Sequence, residues 1–172
     1  MKSLVAILSV FILVGCQGER GPMGPEGPPG TSLMGQAFEV EASFNGGNDY
    51  SRYFDFPSNI EVYESDIVAV YLLWEVDGDT GYDVWQPLPV SVFFDDGELQ
   101  YAFDHTVADV QLFLTGDTDL STVGSEYTQD QIFRVVILPA EYVESNKVDM
   151  SNMNEVMKAV DKSKVERLQP AE

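Results

Sequence analysis

The sequence predicts an all-β protein, an antiparallel β-sandwich of about seven strands that is followed by a C-terminal α-helix. Two observations favour this fold. Short segments from residue 33 onward alternate apolar and polar side chains or are apolar throughout, and Gly-, Asp- and Asn-rich turns separate them. Aromatic residues make up 12 % of the chain, and aromatic side chains favour strands. We place the sandwich at residues 33–145 and the C-terminal helix and tail at 146–172.

The first three predicted strands lie in the N-terminal half of this domain. AFEVEASF (37–44) alternates apolar and polar residues, which is typical of a strand with one buried face. YSRYFDF (50–56) follows the turn NGGND (45–49). DIVAVYLLWEV (66–76) is apolar nearly throughout, so we expect a central strand that is buried on both sides.

The next segment, YDVWQPLPVSVFF (82–94), contains Pro87 and Pro89. Proline lacks the amide hydrogen that a central strand needs, so we expect an edge strand or a bend here. DDG (95–97) predicts a tight hairpin. The remaining predicted strands are ELQYAFDH (98–105), VADVQLFLTG (107–116) and QIFRVVILPA (131–140).

The C-terminal tail has a helical period instead. Four apolar residues recur at the spacing i, i+3, i+4, i+7, which places them on one helix face: Met153, Val156, Met157 and Val160. Ser151 or Asn152 is suited to cap this helix. We expect the stripe to pack on the sandwich and the last residues, DKSKVERLQPAE (161–172), to fray.

Residues 1–15 have the composition of an export signal. Lys2 supplies a positive charge, and residues 4–14 form an apolar run of about 11 residues, whereas a membrane-spanning helix needs about 20. The run ends in Leu-Val-Gly-Cys (13–16), which resembles the bacterial lipoprotein signal. This resemblance implies cleavage before Cys16 and acylation of Cys16, with Gln17 favouring the outer over the inner membrane. An ordinary secretory signal is the alternative.

Residues 16–32 combine this cysteine with a collagen-like spacer. Glycine recurs at every third position from Gly18 to Gly30, and proline follows it in most triplets. A triple helix needs this period, and proline favours the extended polyproline II backbone. As a single chain, residues 18–30 reach roughly 40 Å. We favour such a spacer, which would hold the folded domain off the membrane, and the alternative is a homotrimer through residues 18–30.

The charge balance restricts the partners. The chain has 9 Lys and Arg against 29 Asp and Glu, a formal net charge of −20. This charge repels nucleic-acid backbones, so we expect no nucleic-acid partner, and it disfavours anionic membrane surfaces unless a covalent anchor overrides the repulsion. With one cysteine, the chain forms no internal disulfide bond.

Two candidate binding sites lie close together in the sequence. Asp77, Asp79 and Asp83 place carboxylates at near-alternate positions, and calcium takes such oxygen ligands. The segment lacks the Gly and Glu of an EF-hand, and the alternative is a hairpin turn with solvated carboxylates. Trp85 and Tyr82 are candidates for an aromatic platform that binds a glycan or peptide, whereas Trp74, within the apolar run, is expected in the core.

We predict no catalytic residues and no cofactor other than calcium. His105 is the only histidine, and no G-x-S-x-G motif accompanies it. One histidine and one cysteine also disfavour zinc. The chain is therefore not expected to be an enzyme.

The combined layout resembles small collagen-like lipoproteins of Bacteroidetes-type bacteria. The resemblance rests on the lipoprotein signal, the Gly-Pro triplets, GQAFEVEASF (35–44), YDVWQPLP (82–89) and TQDQIFRVVILPA (128–140). Members of this family have no established activity, and the label dihydrolipoamide dehydrogenase, which some carry, needs a redox cysteine pair that this chain lacks. We expect a lipid-anchored cell-envelope protein with a non-catalytic binding or structural domain. The alternatives are calcium-assisted glycan or peptide binding and, less favoured, hydrolysis.

Overall fold

The structure is a computed structural model that describes residues 35–160 and 165–168. The predicted export signal (1–15), Cys16 and the collagen-like spacer (16–32) lie outside the described residues. The strands are β1 (Gln36–Ala42), β2 (Ser51–Asp55), β3 (Asp66–Val76), β4 (Asp83–Pro87), β5 (Val90–Phe94), β6 (Gly97–His105), β7 (Asp109–Gly116), β8 (Gln131–Pro139) and β9 (Glu166–Leu168). The helical segments are a 3₁₀ turn (Gly46–Asn48), α1 (Ser125–Thr128), α2 (Ala140–Asn146) and α3 (Met153–Val156).

The strands form two sheets. The first sheet has the order β4-β3-β8-β1-β9 and the second has the order β2-β7-β6-β5. All neighbouring strands are antiparallel except β1 and β9, which are parallel. Strands account for 49 % of the described residues and helices for 14 %, so the domain is all-β, as the sequence predicts.

A shared hydrophobic core lies between the two sheets. Alternate residues of β1 and β8, such as Val40 and Val135, are fully buried in one cluster with Leu99 of β6 and with Val110 and Leu112 of β7. Fully burying one such side chain contributes about 1.5–3 kcal/mol. The alternation along β1 therefore has the physical cause that the sequence indicates, since its apolar positions face the other sheet.

The last third of β3 departs from the prediction of a strand buried on both sides. β8 pairs with β3 only from Asp66 to Leu72, whereas β4 pairs with it from Tyr71 to Val76. Beyond Leu72 the strand therefore has only β4 beside it among the described residues. The two strands form a ribbon, the β3–β4 hairpin (residues 73–84), that extends past the rest of the sheet. Trp74, Val76 and Tyr82 of this hairpin are exposed.

The proline-containing segment 82–94 divides between the two sheets. β4 is an edge strand of the first sheet and β5 is an edge strand of the second. The chain crosses over at the cis peptide bond between Leu88 and Pro89, and the Leu88 amide donates to the Val70 carbonyl at 2.9 Å. Both predicted outcomes, an edge and a bend, occur here, because neither proline lies where a central strand needs its amide hydrogen.

The predicted C-terminal helix is shorter than its apolar stripe. Only residues 153–156 form α3. After Met157, the amides of Lys158 and Ala159 donate to carbonyls three residues back, which tightens the backbone into turns. Val160 then forms an isolated bridge with Gly35. The prediction of one continuous helix through Val160 is therefore wrong, although Val156, Met157 and Val160 are buried as expected.

These C-terminal residues cover the outer face of the first sheet. Val156 and Val160 pack with Tyr71 of β3 and Val136 of β8 in a second hydrophobic cluster, and the Tyr71 hydroxyl donates to the Met150 carbonyl at 2.5 Å. Two elements of this region are absent from the sequence-based prediction, namely α2 and β9. The sequence predicts a frayed tail, whereas residues 166–168 pair with β1.

Candidate functional site

Most of the predicted site residues lie on the β3–β4 hairpin or next to it. At its tip, the Asp77 carboxylate accepts hydrogen bonds from the Asp79 amide at 3.1 Å, and from the Thr80 amide and hydroxyl, each at 2.7 Å. These bonds, above all those from Thr80, lower the pKa of Asp77. The carboxylate thus closes the turn.

The structure does not assemble the predicted calcium ligands into a metal site. Asp77 Oδ1 is occupied by the turn, Asp79 is exposed, and Asp83 lies at the start of β4, opposite Val76. Within residues 35–160 and 165–168, no group of three or more His, Cys, Asp or Glu side chains is placed to hold a metal ion. The arrangement matches the alternative stated above, a hairpin turn with solvated carboxylates.

The two tryptophans differ in exposure in the opposite sense to the one that the sequence predicts. Trp74, expected in the core, is 42 % exposed because it lies beyond the last residue of β3 that pairs with β8. Trp85, expected to be the more exposed, is half-buried, and the Arg134 guanidinium lies 3.9 Å from the centroid of its ring. Tyr82 is 74 % exposed, as a platform residue would need to be.

Arg134 belongs to a charged cluster on the outer face of the first sheet that the sequence does not reveal. Glu39 Oε1 accepts from Arg134 at 2.6 Å, and Glu39 Oε2 accepts from Arg167 of β9 at 2.7 Å. Burial by itself would raise the pKa of Glu39, but the hydrogen bonds and charges of Arg134 and Arg167 outweigh it and lower that pKa. The cluster ties β9 and β8 to β1, so its role is structural.

A pocket of about 250 Å³ lies at the base of the β3–β4 hairpin, and we call it the Trp74 pocket. Residues of both sheets line it together with residues of α1. Its described lining residues are Leu72, Leu73, Trp74, Tyr101, Glu126, Tyr127 and Gln131.

Several hydrogen bonds and ring contacts hold the walls of this pocket. The Tyr101 hydroxyl donates to the Tyr127 carbonyl at 2.7 Å, and burial, with a smaller effect from Tyr127, raises the pKa of Tyr101. The Tyr127 ring packs edge-on against Phe94 with centroids 5.2 Å apart. The Gln131 amide donates to the Glu126 carbonyl at 3.0 Å. The lining is therefore held in place by its neighbours.

The lining residues differ in how far solvent reaches them. Trp74 is the exposed aromatic residue of this lining, whereas Leu72 and Tyr101 are each 2 % exposed. Among the described lining residues, no nucleophile is paired with a base. His105 lies elsewhere, at the exposed end of β6, where its ring stacks on Phe103 and its Nδ1 lies 3.2 Å from the Thr106 carbonyl oxygen.

No protein-family model, curated protein or solved structure matches this chain. The resemblance to collagen-like lipoproteins therefore stays a prediction. Among the described residues, no helix has the length and apolar content needed to cross a membrane.

Proposed function

We propose that this protein is a lipid-anchored component of a bacterial cell envelope, more specifically of the outer membrane, and that its β-sandwich binds a partner without catalysing a reaction. In this proposal Cys16 carries the lipid and residues 16–32 hold the domain away from the bilayer. Residues 33–145 form the sandwich, and the C-terminal segment covers one of its faces. The anchor is supported by the apolar run that ends in Leu-Val-Gly-Cys (13–16).

One observation carries the binding role. The β3–β4 hairpin extends past its sheet and exposes three large apolar side chains, Trp74, Val76 and Tyr82. Solvent contact of such side chains is unfavourable, and clustered exposed apolar residues mark interaction sites. Trp and Tyr are also the residue types most enriched among the residues that dominate binding energy.

The alternative of a glycan- or peptide-binding lipoprotein is compatible with the same hairpin, since aromatic rings stack on sugars and on peptide side chains. Calcium assistance requires ligands beyond the Asp77 turn. A titration with calcium chloride separates the two versions, because calcium dependence predicts a rise in melting temperature that Asp79→Asn and Asp83→Asn abolish.

The anchor is tested by replacing Cys16 with Ser in cells that process lipoproteins. We expect the parent protein to incorporate radiolabelled palmitate and to partition into detergent-rich phases, and the Cys16→Ser variant to lose both properties. A second chain, Ser32→Cys in the Cys16→Ser background, controls for the mere presence of a thiol and should stay unlabelled. Labelling of Cys16→Ser would refute the proposed anchor.

A further inference from the structure

We infer that the β3–β4 hairpin binds a protein segment in which basic side chains, arginine above all, alternate with apolar side chains. This inference rests on the proposed function and names the partner chemistry of its binding role. It is independent of the lipid anchor, since no residue of the hairpin belongs to residues 1–32.

The hairpin presents apolar side chains to solvent. Trp74 is 42 % exposed, Val76 is 57 % exposed and Tyr82 is 74 % exposed. Beyond Leu72, β4 is the only described strand beside β3, so no third strand shields this part of the ribbon. Grouped apolar side chains of this kind mark interaction sites, and the partner must supply apolar contacts to them.

Each exposed apolar residue of the hairpin has an acidic residue as its neighbour across the two strands or along the chain. The three pairs are Val76 with Asp83, Tyr82 with Asp77, and Trp74 with Glu75. Apolar and acidic side chains are therefore interleaved on this surface. A complementary partner must place basic groups between its apolar ones, because opposite charges across an interface determine its register.

The protein does not neutralise these carboxylates itself. Both ion pairs between described residues involve Glu39, which lies outside the hairpin. Residues 53–133 contain 17 Asp and Glu and no Lys or Arg. The Asp77 carboxylate closes the turn, whereas Glu75, Asp79 and Asp83 are exposed and available to a partner.

Arginine matches both components of this surface. Its planar guanidinium pairs with carboxylates through two hydrogen bonds, and it stacks on the faces of aromatic rings. The same combination occurs within this chain, where Arg134 donates to Glu39 at 2.6 Å and lies 3.9 Å from the ring centroid of Trp85. The hairpin offers carboxylates and aromatic rings side by side, but no basic residue.

Three other occupants fit this surface less well. Insertion into a bilayer would remove the carboxylates from water without compensation. A second copy of the hairpin would bring like charges together, and a nucleic acid would be repelled by the same charges. The interleaved charges therefore favour a basic protein segment.

The test is an NMR titration of the isotope-labelled full chain in a non-ionic detergent. The probe is a capped hexapeptide in which arginine and valine alternate. We expect the amide signals of residues 73–84 and the indole N–H signal of Trp74 to shift and saturate, with a dissociation constant of roughly millimolar order. The signals of the turn between β5 and β6 (residues 95–97) should stay in place.

A matched peptide tests the positive charge. Citrulline in place of arginine keeps the shape of the side chain and removes its charge, and we expect roughly tenfold weaker binding. Equal affinity for the two peptides would overturn the inference and leave the binding role intact, because apolar contact alone would then suffice.

Two other results would also overturn the inference. The absence of hairpin shifts with either peptide would do so, and it would remove the support for the binding role as well. Hairpin signals that respond instead to rising protein or detergent concentration, without peptide, would identify a second copy or an apolar phase as the occupant.

Two double variants separate local from general charge attraction. Asp79→Asn with Asp83→Asn should weaken binding of the arginine peptide roughly fivefold. Asp95→Asn with Asp96→Asn removes the same charge from the exposed turn between β5 and β6, and this matched control should bind as the parent does. An equal loss in both double variants would show general attraction only and would overturn the inference.

Two tyrosine variants test the apolar contacts. Tyr82→Ser should weaken binding of the arginine peptide roughly fivefold, whereas Tyr53→Ser, on β2 of the second sheet, is the control and should not. Both side chains are more than half exposed, so neither change removes a core residue. Unchanged binding in Tyr82→Ser and in the Asp79 and Asp83 double variant would overturn the inference.

Discussion

Replacement of Glu39 by Gln tests the charged cluster on the outer face of the first sheet. The side chains of Glu39 and Arg134 are only 12 % and 15 % exposed, and Arg134 donates to Glu39 Oε1 at 3.2 Å and 2.6 Å. Hydrogen bonds to a charged group at such a site contribute about 1.5–3 kcal/mol. Arg167 is 45 % exposed, so its pair with Glu39 contributes about 0.5 kcal/mol after solvent screening. We therefore expect Glu39→Gln to lower the free energy of unfolding by about 2–3.5 kcal/mol at neutral pH.

The pH dependence of this loss follows from the lowered pKa of Glu39. A carboxyl group whose pKa is lower in the folded state than in the unfolded state stabilises the fold above its unfolded pKa. For Glu39 the ordinary value is 4.5, and the stabilisation disappears as the pH falls below this value and through the lower pKa of the folded state. The difference between parent and Glu39→Gln should therefore be constant near neutral pH and shrink as the pH falls below 4.5.

The assay is urea denaturation followed by far-ultraviolet circular dichroism at several pH values. Glu41→Gln is the matched control, because Glu41 lies on the same strand and outward-facing side and makes no ion pair with another described residue. We expect this control to change stability by no more than about 0.5 kcal/mol. The reasoning is refuted if Glu39→Gln behaves like the control at neutral pH, or if its loss persists undiminished in acid.

Two further substitutions test the end of β7 and the C-terminal segment. Gly116 has φ +142°, and a Cβ atom there would collide with the Glu98 carbonyl oxygen, so Gly116→Ala should cost about 3 kcal/mol in urea denaturation. Gly78, which has open space around its Cα, is the control, and a comparable loss in Gly78→Ala would contradict the explanation. Tyr71→Phe removes the hydrogen bond to the Met150 carbonyl and should cost about 1–2 kcal/mol, with faster amide exchange in residues 148–157 as the specific readout. Unchanged exchange there would show that this bond does not hold the segment.

The strands are the part of this fold that follows most directly from the sequence. A strand with one buried face alternates apolar and polar side chains, and a central strand is apolar throughout. The residues therefore predict β1 and the first two-thirds of β3. The sequence does not predict the exposed end of β3, because its exposure depends on how far β8, which is distant in sequence, extends beside it. The apolar run continues through Val76, whereas the pairing with β8 ends at Leu72.

The candidate site also contains features that the sequence predicts and features that depend on the tertiary fold. Asp77, Asp79 and Tyr82 lie in the hairpin turn that the residues DGDTG (77–81) predict. The Trp74 pocket could not be predicted, since its walls come from strands and a helical turn that are separated by up to 59 positions, from Leu72 to Gln131. The opposite charges of Glu39 and Arg134 are likewise brought together only by the register of β1 and β8.

The C-terminal stripe shows that spacing predicts burial better than it predicts backbone shape. Met153, Val156, Met157 and Val160 all pack on the first sheet, as their spacing requires. One helical turn followed by tight turns places them on the same side, so a continuous helix is not needed. At Val160 the backbone is extended and forms a β-bridge with Gly35, so the helix does not continue to this residue.

The most direct test of the proposed envelope role is the intact mass of the mature protein after detergent extraction from its cells. The account predicts a chain that begins at Cys16 and carries the added mass of a diacylglyceryl group and an amide-linked acyl chain. A mass that corresponds to a chain without acyl groups, whether cleaved before Cys16 or elsewhere, would contradict the account, because the domain would then have no lipid anchor.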